Sequence, residues 1–272
     1  MLSPNGNSPS NKFIERMRNG EVSLGTGISF TDPTVTEALC NVVDFVWIDM
    51  EHNALSLEAV QGHIMATKGS ETTPLVRVAW NDPVLIKPVL DVGAAGIIVP
   101  FVRTVDDARR AVAACRYLPE GLRGYGPRRP SNYGRLGGPE FMKAQNEAII
   151  TIIQIEHTDA LNNLDGILAV PGLTAIVIGS NDLSGSMGHM GEPRHPEVLR
   201  AMESVIAKAR RTSVFVGIAV GDDVDLLNEW VDKGAQWLAM GGDYSLMLRA
   251  AMEVASKVRA HAARVNVRKR EA

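Results

Sequence analysis

Phe45-Val46-Trp47-Ile48-Asp49-Met50-Glu51-His52 is an almost unbroken apolar run that ends in two carboxylates and an imidazole. A strand covered on both faces needs continuous apolar side chains, so polar groups at its C-terminal end place chemistry on one rim of a sheet. The pattern returns at Leu75-Val76-Arg77, from Ile150 to Glu156 and from Ala175 to Asp182. Helical stretches with start and stop signals lie between these strands. Asp32-Pro33 opens one helix, Ser56 and Glu58 favour the start of another, Asn81-Asp82-Pro83 caps a third that stops near Gly93, and a later helix is expected near Thr158 to Val170.

Carried along the whole chain, this rhythm gives eight strand–helix pairs and predicts a (β/α)8 barrel of parallel strands. The barrel is expected over 12–262 as a single domain, between a disordered leader (1–11) and a charged tail (263–272). A doubly wound open sheet is the alternative. Its phosphate-binding fingerprint should follow an early strand, whereas Gly124-x-Gly126 precedes a Pro-Arg-Arg loop. The rhythm breaks once, from Leu118 to Gly138, a segment dense in Gly, Pro and Arg. Loops of that length in a compact domain are usually functional or interfacial.

The 272 residues are 45% hydrophobic and 22% charged, an ordinary globular balance. A net charge of -3 argues against a nucleic-acid partner. Cys40 and Cys115 cannot make a disulfide framework and suit a reducing compartment. No apolar run approaches the roughly 18 residues that cross a bilayer, and the polar start is not signal-like, so a cytoplasmic protein is expected with no membrane partner.

Barrel enzymes build their sites at the C-terminal ends of the strands. Here those ends carry Asp49, Glu51 and His52, then Arg77, then Gln154 and Glu156, then Ser180, Asn181 and Asp182. Glu156 and Asp182 form a sparse carboxylate set that suits Mg²⁺ or Mn²⁺, ions that keep several waters. Arg77 offers a permanently charged fork to an oxygen gaining negative charge, and His52 can move a proton near neutral pH with Asp49 to orient it. Gly179 to Asn181 could hold a carboxylate on backbone N–H groups. Zinc held by Cys and His is disfavoured, because both cysteines lie in helical stretches and the histidines are scattered. His63, His157, His189, His195 and His261 read as surface or structural residues.

Trp47-Ile48-Asp49-Met50-Glu51-His52, Val76-Arg77, Leu90 to Gly96, Gly121-Leu122-Arg123-Gly124, Gln154-Ile155-Glu156 and Ile178 to Leu183 together resemble the metal-dependent pyruvate aldolases of the HpcH/HpaI family. The resemblance runs over nearly the whole chain. It implies a pyruvate-type TIM barrel that reversibly cleaves a 4-hydroxy-2-oxo acid to pyruvate and an aldehyde. Glu156 and Asp182 would bind a divalent metal (Mg²⁺, Mn²⁺ or Co²⁺) that chelates pyruvate. Arg77 would stabilise the enolate oxygen, and His52, assisted by Asp49, would act as acid and base. Gln154 would support the metal, and Gly179, Ser180 and Asn181 would take the pyruvate carboxylate. It also implies a homo-oligomer, commonly a hexamer built as a trimer of dimers, with the last helix packed on a neighbour. Tyr125 and the arginines of the 118–138 loop are then expected to meet the aldehyde in a neighbouring mouth. Thr26, Pro130 and Asn181 depart from commoner family residues, which bears on the aldehyde half. The nearest rival readings are a citryl-CoA or malyl-CoA lyase of the same superfamily, a branch that lacks the Asp-x-Glu-His strand end, or an enzyme of that superfamily that uses the pyruvate enolate for a different bond formation.

Overall fold

The computed structural model describes residues 12–271, so the leader expected over 1–11 lies outside the described residues. Eight parallel strands close into a barrel in chain order: β1 (Ser23–Ile28), β2 (Phe45–Asp49), β3 (Thr73–Arg77), β4 (Gly96–Val99), β5 (Ile150–Ile155), β6 (Ala175–Gly179), β7 (Phe215–Ala219) and β8 (Trp237–Gly242). Around them run α1 (Lys12–Arg18), α2 (Thr34–Leu39), α3 (Leu57–Ala66), α4 (Pro83–Asp91), α5 (Val105–Cys115), α6 (Gly138–Ala148), α7 (Thr158–Asn162), α8 (Leu164–Leu168), α9 (Ser180–Ser186), α10 (Pro196–Ala209), α11 (Val224–Asp232) and α12 (Asp243–Glu271). The helix starts follow the capping chemistry of the sequence. Ser56 accepts from Ala59 N and Asp82 from Val84 N, and Thr104 with Asp107 forms a complete capping box.

Successive strand side chains face opposite ways, so each strand serves two cores. Val46, Ile48, Val76, Ile153, Ile155, Ile176 and Ile178 pack outward with the helices. Phe45, Trp47, Leu75, Ile98, Ile150, Ile152, Ala175, Val177 and Trp237 fill the barrel axis. The same alternation continued along the inner columns brings Asp49, Arg77, Gln154, Glu156 and Gly179 to the top of the barrel. Phe13 of α1 plugs the opposite end, edge-on to Phe45 at 5.2 Å and to Trp237 at 5.4 Å between ring centroids.

Three local differences from the sequence reading have simple causes. The helix expected from Thr158 to Val170 breaks into α7 and α8 at Asn163, whose side chain donates to Asp159 O and Arg103 O. Ser180 to Asp182, expected as a strand-end loop, opens the short helix α9. The last helix continues past residue 262 to Glu271, since no Gly or Pro interrupts it. Among the described residues, no helix is long and apolar enough to cross a membrane.

The aromatic floor leaves no room for an extra methyl. A Cβ on Gly217 would come 2.2 Å from the Trp237 ring, and one on Gly25 would come 2.4 Å from Phe45. Gly217→Ala should therefore destabilise the fold by about 1–3 kcal/mol or more, read as a lower urea midpoint with unchanged slope.

Candidate active site

Asp49 and Arg77 are register partners across β2 and β3. Both point into the barrel, and they meet as a two-pronged pair: Arg77 Nε donates to Asp49 Oδ1 and Nη2 to Oδ2, each at 2.8 Å. Asp49 also accepts from Asn53 Nδ2 at 2.7 Å and from Glu51 N at 3.0 Å. The other prong of the guanidinium, Nη1, donates to Gln154 Oε1 at 3.2 Å and lies 2.9 Å from Glu51 Oε2. The face of the cation lies over the Trp47 ring, 5.2 Å from its centroid.

Gln154 passes the chain of contacts on. Its amide donates to Glu156 Oε2, while Glu156 Oε1 accepts from Phe101 N at 2.6 Å. Phe101 stands in the left-handed region at φ 55°, a strained setting for a bulky residue and one that turns its N–H toward Glu156. Gly179 is small for a reason the geometry makes plain. A Cβ there would lie 2.8 Å from Glu156 Oε2.

Burial pushes the Glu51 carboxyl up to about 7; Arg77 pulls it back down, while Asp49 and Asp182 add to the rise. Burial likewise raises Glu156, against the lowering effect of the Phe101 and Gln154 hydrogen bonds, with Glu51 and Asp182 contributing further to the rise. Four carboxylates thus share one neighbourhood with a single guanidinium. That excess of negative charge in a half-closed mouth, supplied by hard oxygen donors, fits a divalent cation.

Asp49, Arg77, Gln154, Glu156 and Gly179 are brought together as expected from their strand positions. Ser180 is buried beside them, while Asn181 and Asp182 are exposed on α9. His52 lies three residues beyond Asp49, past the strand end, with its side chain 64% exposed. Its carboxylate neighbour is Glu51, at 3.7 Å, and not Asp49, whose oxygens face into the barrel toward Arg77. The expectation that Asp49 orients His52 is corrected on that ground. Glu51 stands at the strand end in the sequence, but its tie to Arg77 exists only once the barrel is closed.

The 118–138 loop packs at the far end of the barrel. Arg123, expected to face an aldehyde, is only 5% exposed, pairs with Asp91 at 2.7 Å and lies over Tyr117. Arg129 donates to Val92 O at the end of α4. Tyr125 rests against Tyr117, and within one chain the structure does not bring it to the Arg77 group. Thr26 is wholly buried and donates to Gly241 O. Two aromatic residues that the strand-end pattern does not reach stand at the mouth. Trp80 stacks on Phe101 with centroids 5.4 Å apart, and Arg103 covers the Phe101 ring.

A closed barrel of eight parallel strands with an arginine and carboxylates gathered at its C-terminal rim defines the class of (β/α)8 barrel enzymes, whose active sites sit at that rim. Residues 29–250 match the family model described as HpcH/HpaI aldolase/citrate lyase, and the chain belongs to this family. It is an aldolase, a carbon–carbon lyase. A 4-hydroxy-2-oxo-heptane-1,7-dioate aldolase of Salmonella typhimurium is 36% identical over 250 residues, covering 91% of this chain and 94% of the relative. Among solved structures, an HpcH/HpaI aldolase/citrate lyase family protein of Burkholderia cenocepacia superposes with a TM-score of 0.86 at 31% identity, over 92% of this chain and all of that one. The citrate synthase SbnG superposes with a TM-score of 0.80 at 29% identity, covering 93% of this chain and 100% of its own. Members of the family depend in general on a divalent metal ion.

The raised Glu51 has a measurable consequence. Its folded value of about 7 exceeds its ordinary 4.5, so the folded state holds a proton that the unfolded state releases over that interval. Its contribution to stability is complete below 4.5 and is lost as pH rises through about 7. In chelator-treated protein the melting temperature should fall across this window, and Glu51→Gln should flatten the fall. An unchanged slope in Glu51→Gln would place the titration elsewhere.

Proposed function

We propose that the mouth reversibly cleaves a 4-hydroxy-2-oxo acid to pyruvate and an aldehyde, with the charge of a pyruvate enolate developing beside Arg77. The observation that carries this reading is the buried guanidinium, clamped by Asp49 and offering Nη1 into a mouth of carboxylates. The name of the Salmonella typhimurium relative supports the same bond cleavage. Glu156 and Asp182 would hold the divalent ion (Mg²⁺, Mn²⁺ or Co²⁺), which when bound supplies positive charge to the adjacent oxygens of a 2-oxo acid.

The chain's own groups divide the remaining work. Asp49 fixes the guanidinium plane, so Arg77 meets the oxygen that gains charge in a set orientation once the Glu51 carboxylate beside Nη1 gives way to substrate. Gln154 holds both Arg77 and Glu156, tying the cation to the carboxylate. His52, open to solvent and beside Glu51, delivers and removes the proton of the substrate's 4-hydroxyl. Gly179, Ser180 and Asn181 bind the pyruvate carboxylate, with the bare Gly179 leaving Glu156 in place.

The assembly is a homo-oligomer. From Met247 to Val265 every side chain of α12 is exposed except the half-buried Ala255. Tyr244, Leu248, Met252 and Val258, each more than half exposed, leave apolar surface on this helix. A neighbouring subunit covers that surface, and a hexamer of paired subunits would let the 118–138 loop, with Tyr125, reach another chain's mouth.

Arg77→Lys should lower turnover about 10²–10³-fold for both aldol cleavage and oxaloacetate decarboxylation, because a point charge cannot reproduce the fork. Chelation should abolish both activities, and added Mg²⁺ or Mn²⁺ should restore them. Wild-type decarboxylation by Arg77→Lys, or full activity in excess chelator, would overturn the reading. Leu248→Asp combined with Met252→Asp should reduce the molar mass seen by light scattering, and an unchanged mass would remove α12 from the interface.

A further inference from the structure

The histidines expected to be scattered are not all so. Among the described residues, His189, Glu192 and His195 form a group of three metal-competent side chains whose ligand atoms lie within 4.8 Å of one another. They sit between α9 and α10, apart from the carboxylates of the mouth. Two consecutive turns gather them: Glu192 N donates to His189 O and His195 N to Glu192 O, both at 2.9 Å. Each turn advances the chain by three residues, so side chains at this spacing come to one side.

We infer that His189, Glu192 and His195 form a second metal site, selective for a borderline transition ion such as Zn²⁺ or Cu²⁺. The donor set is two imidazoles and one carboxylate, which favours such ions over the hard ions suited to an all-oxygen mouth. His189 is already held in a ligand's posture. Its Nε2 lies 3.0 Å from Glu197 Oε2, and donation there leaves the Nδ1 lone pair for an ion, the arrangement of a carboxylate orienting a metal-bound histidine. His195 Nδ1 accepts from Glu197 N at 3.3 Å, a long bond that an ion can replace.

The two rings are stacked, 3.5 Å between centroids and 17° between planes. Their in-plane lone pairs therefore run side by side, and seating one ion between them requires one ring to turn. The backbone permits it. Gly188 and Gly191 hold positive φ, and a Cβ at either position would meet no atom within 4 Å, so the turns have open space in which to pivot. Glu192 is exposed. The segment is also joined to α9, since His189 N donates to Ser184 O at 2.8 Å, so an ion here would stiffen the connection between α9 and α10.

The test is binding and spectroscopy on the full chain after chelator treatment, independent of turnover. Cu²⁺ should give an electron-spin resonance signal split by nitrogen, both in the wild type and in a Glu156→Gln, Asp182→Asn double variant that lacks the mouth carboxylates. In that double-variant background His189→Ala should reduce the splitting, since only the His195 imidazole remains, and bind Zn²⁺ roughly tenfold or more weakly by calorimetry, and Glu192→Gln, a surface change, should also weaken it. In the Glu156→Gln, Asp182→Asn background, Zn²⁺ should raise the melting temperature, and less so once His189→Ala is added. Unchanged splitting and Zn²⁺ affinity on adding His189→Ala to that background overturn the site, as does unchanged affinity on adding Glu192→Gln.

Discussion

The pairing of Asp49 with Arg77 is the contact on which the mouth depends. Two strands in parallel register bring the residues level, and two hydrogen bonds of 2.8 Å fix the guanidinium in one plane. Their side chains are only 10% and 14% exposed, so each charge has little water to fall back on. Breaking such a buried pair by removing one partner typically costs about 3–5 kcal/mol, because the other is left uncompensated. The pair is held in turn by what surrounds it: Trp47 beneath the cation, Asn53 on the carboxylate, Gln154 on the free prong. A cation so placed keeps its charge and loses its freedom, which is the condition for meeting a developing negative charge without reorganising.

The floor of the barrel makes this arrangement possible. Phe13, Phe45 and Trp237 interlock edge to face, and glycines at 25 and 217 admit the rings. Because the aromatic layer fills the axis from below, the next inward positions fall at the rim, where polar side chains reach solvent and one another. Packing below and chemistry above are thus two ends of the same inner columns. Phe45, Trp47 and Asp49 form one such column; Ile150, Ile152, Gln154 and Glu156 form another.

Like charge is the tension in this mouth. Burial raises the proton affinity of Glu51 and Glu156; Asp49 and Asp182 add to the rise at Glu51, Glu51 and Asp182 add to it at Glu156, and Arg77 offsets part of it at Glu51. A site so composed is completed by cationic charge. The strained Phe101, whose N–H is spent on Glu156, and the short reach from Gly179 to the same carboxylate keep Glu156 in position before any such charge arrives.

The sequence alone determined the barrel, since apolar strands with polar C-terminal ends and capped helices between them are local patterns with a period that side-chain direction dictates. It also placed Asp49, Arg77, Gln154, Glu156 and Gly179 at strand ends facing one mouth, because each closes an apolar strand run. Partners were another matter. Asp49 turned to Arg77 and not to His52 because register, not nearness in sequence, sets which side chains face each other. Glu51 joined Arg77, Arg123 was taken up by Asp91, and His189 met His195 across two turns, each through contacts that exist only once the chain is closed in three dimensions. Local pattern fixes the direction in which a side chain points; the closed barrel and its loops decide what it finds there.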